Sequence, residues 1–174
     1  MSTKKPTFEQ SMNAAMLWCN AWEEGELSDE VIADRVSELL QTREGARGFL
    51  AISMASDCPL MDRLPESLAL QLRAAGEIVV DLTVKNLAMS SAMTVQHQRQ
   101  QNSKQASGSE RVKARCIDLL RALEPNAVKA RLEILLKGIK DEGPDVDFLK
   151  RWNYDNEQKF AITSSIYSIA QNKK

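Results

Sequence analysis

Apolar residues recur at three- and four-residue intervals along most of the chain, and no segment alternates apolar and polar at every second position. That spacing keeps side chains on one face of an α-helix and does not suit a strand. The clearest case runs from Pro65 to about Arg99 and reads as one long helix. Its charges fall at Arg73, Glu77, Asp81 and Lys85, each four residues after the last. At about 100° per residue they wind slowly across roughly a third of the wheel. The other flanks carry Leu68, Leu72, Ile78, Val79, Leu82, Met89 and Met93, then Val80, Val84 and Leu87. A helix with so narrow a charged stripe packs against other helices on most of its sides. The pattern therefore predicts an all-α fold, a helical bundle of about seven helices packed around one long central helix.

The remaining elements follow the same period. Phe8, Met12, Ala15, Cys19 and Trp22 form a heptad-like seam on a first helix that starts after Thr7 and stops before Gly25. Ser28 is placed to cap a second helix whose inner face is Ile32, Val36, Leu39 and Leu40. A short apolar helix covers Gly45 to Ser56, and Ser56-Asp57-Cys58-Pro59 makes a turn. The polar run from Gln96 to Ser109 ends the long helix by Ser107-Gly108. It is the candidate mobile boundary, near 100–109, within a single helical domain 1–174. Two helices then share an inner pattern at an offset of 16 residues: Val112-Lys113-Ala114-Arg115 returns as Val128-Lys129-Ala130-Arg131, and Leu119-Leu120-Arg121 as Leu135-Leu136-Lys137. Pro125 opens the second arm of this hairpin. A short helix from Val146 to about Trp152 and a last one from about Asn156 to Ala170 complete the chain.

Composition changes this picture little. With 174 residues, 43% hydrophobic and 27% charged, the chain can bury a core of its own. The net charge is only −1, but it is unevenly spread: residues 1–66 hold 6 basic and 12 acidic side chains, and residues 97–140 hold 10 basic and 4 acidic. The first residues lack the apolar run of a secretory signal, and no uninterrupted apolar stretch is long enough to span a bilayer. Three widely spaced cysteines, Cys19, Cys58 and Cys116, fit neither a disulfide framework nor a zinc site. The expectation is a reduced, cytoplasmic protein without membrane contact.

Candidate chemistry is sparse. A single histidine, His97, removes His-based triads and His-rich metal sites, and the Glu-x-x-His pairs of di-metal bundles are missing. No catalytic residue, metal ligand or cofactor is nominated. Gly45-Ala46-Arg47-Gly48 has the form of a GXXG loop but lacks the accompanying sheet, so it reads as a helix start. Asn86 falls among apolar positions of the long helix; a buried amide there needs a partner, or else lines a small-molecule pocket with Met89 and Met93. Arg111, Lys113, Arg115, Lys129 and Arg131 cluster in the first turns of the hairpin helices, where positive charge opposes the helix dipole unless an anion is bound. Residues 97–140 contain no aromatic residue, so stacking on bases is not available there. Trp18 and Trp22 share a side of the first helix.

The segment Leu82-Thr83-Val84-Lys85-Asn86-Leu87-Ala88-Met89-Ser90-Ser91-Ala92-Met93 resembles a segment of an uncharacterised family of small helical cyanobacterial proteins, over a region from about Arg47 to Arg99. The resemblance implies a bacterial, cytoplasmic setting and carries no activity or functional residue with it. The expected function is a non-enzymatic helical protein acting through protein–protein contacts, as a homo-oligomer or an adaptor. Phe8, Met12, Trp18 and Trp22 are its interface candidates, and an acidic N-terminal lobe meeting the basic hairpin of another chain is a second mode of contact. The alternative is polyanion or nucleic-acid binding through the basic hairpin 111–131. A small-molecule pocket near Asn86 is the third reading.

Overall fold

The computed structural model describes residues 4–170. All the regular structure among these residues is helical: nine α-helices and one 3-10 turn at Pro59–Met61. The chain divides between Leu82 and Thr83 into two compact units. The division falls inside a helix.

The first unit holds α1 (Phe8–Glu23), α2 (Asp29–Leu39), α3 (Arg43–Ala55), α4 (Glu66–Ala74) and the beginning of α5 (Glu77–Arg99). Each start has a local cause. Thr7 and Gln10 form a reciprocal capping box at α1, with both bonds at 3.0 Å. Ser28 accepts the Val31 amide at α2, and Thr42 accepts the Gly45 amide at α3. Gly25, at φ +81°, ends α1 as the sequence predicts. The seam of α1 turns inward, burying Ala15 and Cys19, and α1 packs chiefly on α3. Their approach is close at Gly48: a Cβ there would lie 2.5 Å from the Ser11 Cβ and 2.9 Å from the Met12 nitrogen. Phe49, Leu50, Ile32, Val36, Leu60, Leu68 and Leu72 fill the core of this unit.

The helix expected over Pro65 to Arg99 is two helices. Gly76, at φ +70°, breaks it between α4 and α5. In this left-handed conformation a glycine ends a helix at no steric cost, and Ala74-Ala75-Gly76 offers no large apolar side chain to hold the turn together.

The second unit holds the rest of α5, then α6 (Ser103–Ala122), α7 (Pro125–Ile139), α8 (Val146–Arg151) and α9 (Asn156–Ala170). The polar stretch read as a boundary is mostly helical. Only a tight turn separates α5 from α6; Gln101 takes φ +58° in it and Asn102 caps α6 through the Gln105 amide. Ser107 and Gly108 lie inside α6, held there by the apolar spacing that follows them at Cys116, Leu119 and Leu120. Within this unit α5 meets α9 through small polar residues. The Ser91 and Ser165 hydroxyls lie 2.6 Å apart, and Gln158 Nε2 donates to the Ala92 carbonyl. Asp155 and Gln158 form the capping box of α9. Arg99 joins this end by ion pairs to Asp155 and Glu157, which hold the Asp155 carboxyl below its usual range.

The helix α5 reaches the length and mean hydropathy (1.2) of a membrane span, but 61% of its most apolar window is buried inside the protein. Its apolar character is that of a core helix.

Candidate functional site

The residues singled out by spacing are mostly occupied within their own units. Phe8 is half-buried under the Arg47 guanidinium, 4.1 Å from the ring centre. Trp22 donates from Nε1 to Asp29 at 2.8 Å, with Arg63 over its ring. Met12 and Trp18 are half-buried on the same helix. The exposed apolar side chains of α1 are instead Met16 and Leu17, the latter 67% exposed.

The basic hairpin is not the open cationic face that its sequence implies. Arg115 is 2% exposed and part of the core. Arg131 grips Asp145 with both guanidinium nitrogens, at 2.6 and 3.0 Å. Lys113 pairs with Glu110 on the same helix, and Arg111 is half-buried. Only Lys129 of the five candidates is exposed. The helix pattern that repeats along α6 and α7 turns Arg115 and Arg131 inward with their apolar neighbours, which a count of charges does not reveal. Asn86 is likewise half-buried and not the enclosed amide expected. His97 is half-buried, and its Nδ1 is shielded from solvent without a hydrogen-bond partner among the described residues. Among the described residues, no group of three or more His, Cys, Asp or Glu side chains converges where a metal could be held. Burial pushes the Cys116 thiol up to about 12, which makes it a packed apolar side chain and not a nucleophile.

Two cavities in the second unit stand out, and neither is lined by Asn86. The larger is an apolar groove of about 530 Å³ between the end of α6, the outer side of α7 and the last turns of α9. Leu123, Val128, Leu132 and Leu136 form one wall, and Ile166 and Ile169 the other. Lys129 and Glu133, one turn apart on α7, stand on its edge. Arg121 lines the groove and donates to the Ser168 and Ile169 carbonyls, so that it caps the C-terminal end of α9. Tyr167 lines the groove and is 57% exposed. Phe160, seven residues earlier on the same stripe of α9, is 73% exposed. Sequence reasoning passed over this surface because Phe160 and Tyr167 fit the apolar periodicity of a core face. The groove also needs α9 to fold back on the α6–α7 hairpin, a placement that no local pattern states.

The smaller cavity, of about 390 Å³, lies between the ends of α7 and α8 and the start of α9. Gly138 lets α8 approach: a Cβ there would lie 2.8 Å from the Asp145 Cβ and 3.2 Å from Leu149. The wall carries Asp141, Lys150, Asn153, Tyr154 and Lys159. Asp141 and Asn153 take φ +65° and +52°, ending α7 and α8 in left-handed turns that residues with short polar side chains tolerate.

A family model described as "Uncharacterised conserved protein UCP020893" matches residues 7–169. No curated protein and no solved structure matches the chain.

Proposed function

The chain belongs to that uncharacterised family over nearly its whole length, and we propose that it acts without catalysis, as a self-associating helical protein whose contact surface is the α7–α9 groove. The observation that carries this reading is the apolar groove itself, continued by the exposed rings of Tyr167 and Phe160. Aromatic side chains left in water next to an apolar cleft favour a covered state.

A second copy fits the edge of the groove by charge. In a two-fold contact the same patch serves both chains, and helices paired across an axis perpendicular to them run antiparallel. Antiparallel α7 helices set Lys129 against the partner's Glu133, and Glu133 against the partner's Lys129. The groove thus offers an apolar centre with two like ion pairs at its rim. This moves the interface away from the α1 seam, which is packed on α3, and onto the apolar side of the α6–α7 hairpin. A polyanion-binding role has less support, since Arg115 and Arg131 are turned inward. The buried cysteines Cys19, Cys58 and Cys116 form no disulfide, which supports placing this role in a reducing compartment such as the cytoplasm.

Sedimentation velocity on the full chain tests the reading. A concentration-dependent dimer is expected, lost in Tyr167→Glu and Phe160→Glu. Lys129→Glu alone weakens it, and adding Glu133→Lys restores it, because the pair is exchanged and not removed. A monomer at every concentration overturns the proposal, as does a dimer indifferent to all four substitutions.

A further inference from the structure

Two of the chain's three cysteines meet inside the first unit, although they stand 39 positions apart in sequence. The Cys58 thiol donates to the Cys19 carbonyl, with Sγ 3.4 Å from the oxygen. Cys19 is fully buried on α1, and Cys58 is 3% exposed, immediately before the 3-10 turn Pro59–Met61. That turn packs on both α1 and α3, so the fold of the unit brings the two residues together. One buried cysteine is only a small apolar side chain. A pair in contact differs, because one thiol can capture the oxidised form of the other. The Cα atoms of a disulfide stand about 4.4–6.8 Å apart. A sulfur that already touches the other residue's carbonyl is close to meeting this requirement. The two residues also differ in freedom. Cys19 is fixed within a regular helix, whereas Cys58 has extended backbone between α3 and the 3-10 turn, beside the exposed Asp57. The remaining adjustment and the first access of an oxidant therefore fall on Cys58. Cys116 belongs to the second unit, on α6.

We propose that Cys19 and Cys58 form a reversible disulfide on exposure to hydrogen peroxide, and that this bond is a redox lock on the first unit. The Cys58 thiolate attacks one peroxide oxygen; the O–O bond breaks, leaving Cys58 sulfenic acid and a hydroxide that takes up the thiol proton. The Cys19 sulfur then attacks the Cys58 sulfur. The S–O bond breaks, the S–S bond forms, and the Cys19 proton leaves with the hydroxyl as water. Two thiols thus lose two protons and two electrons, and one peroxide becomes two waters. The bond ties α1 to the turn after α3 and closes the chain around α2 and α3, which restricts the unfolded state. Exchange with a small dithiol reverses it. Neither cysteine lines the α7–α9 groove, so the lock stands or falls independently of self-association.

Thiol mapping of the full chain tests this. The reduced protein is treated with hydrogen peroxide, quenched with catalase, then unfolded in urea with an alkylating reagent and analysed by mass spectrometry. The expected result is a single alkylated cysteine, Cys116, and a proteolytic map containing a Cys19–Cys58 cross-linked peptide. Dithiothreitol is expected to return all three alkylatable thiols. Cys116→Ala leaves the cross-link unchanged. Cys19→Ala removes the capturing thiol, so the Cys58 sulfenic acid persists and is trapped by dimedone. The oxidised chain is expected to unfold at a higher urea concentration than the reduced one. Three thiols that survive a peroxide dose sufficient to oxidise the urea-unfolded chain overturn the proposal, and this readout needs no variant. So does a map in which Cys116 pairs with either cysteine, or one with Cys58 sulfinic acid and no cross-link. An oxidised chain that unfolds at the same or a lower urea concentration overturns the role as a lock.

Discussion

The Arg131 guanidinium and the Asp145 carboxylate meet in a two-pronged ion pair whose side chains are only 12% and 7% exposed. The pair ties α7 to the start of α8, directly beside the point where Gly138 allows the close approach. Fork-to-fork geometry satisfies both partners, but neither charge can return to water if the other is removed. Arg131→Ala or Asp145→Ala is therefore expected to lower the unfolding free energy by about 3 kcal/mol, because an unpaired charge stays buried. Replacing both, as Arg131→Met with Asp145→Leu, is expected to cost much less than the sum of the two single changes. Urea unfolding of the four proteins measures this coupling, and strictly additive losses would show that the pair is not the tie between the helices.

Local chemistry made the helix starts legible. Thr7, Ser28 and Pro125 stand where their capping and initiating roles place them, and Gly25 ends α1. The all-helical class followed from a single period repeated along the chain. Two glycines behave opposite to what their flanking sequence predicts. Gly76 lies inside an apolar run, yet it turns the backbone to φ +70° and ends α4. Gly108 follows a polar run that predicts a stop, yet it lies within α6 with nothing within 4 Å of where its Cβ would be. A glycine permits a break but does not impose one. The outcome depends on whether the flanking apolar positions bury on one continuous face, and that is decided by tertiary packing. The same limit hid both cavities, since the groove and the Tyr154 pocket join residues from three elements each. It also hid the fate of Arg115 and Arg131, whose charges predicted a surface they do not occupy.

That difference between the two glycines can be measured. Gly108→Ala is expected to raise stability by about 0.5–1 kcal/mol, because alanine loses less backbone freedom on forming a helix and meets no atom there. Gly76→Ala is expected to lower it by about 1 kcal/mol, since a side chain is strained at that positive φ even in open space. Thermal unfolding of the two variants should shift in opposite directions. A neutral Gly108→Ala would mean that residues 103–109 are not helical in solution.

Alkaline pH probes two buried groups at once. Burial raises the Cys116 thiol from 9.0 and the Tyr154 phenol from 10.0, each to about 12. Both are neutral when protonated, so the folded state keeps its protons to higher pH than the unfolded state does. Between about pH 9 and 12 the unfolded chain therefore binds fewer protons, and the unfolding free energy falls as pH rises. The stabilisation is complete below pH 9 and is lost on passing through the folded-state values near 12. Each group contributes a slope of at most about 1.4 kcal/mol per pH unit. Urea midpoints recorded from about pH 8 to 11 are expected to drop over that window. Cys116→Ala should flatten the decline from its lower edge, and Tyr154→Phe should flatten only its upper part. Both variants should lose their difference in slope below pH 9, where neither group titrates in either state. Midpoints that stay level to pH 11 in the parent protein would mean that Cys116 and Tyr154 reach solvent more freely than their burial implies.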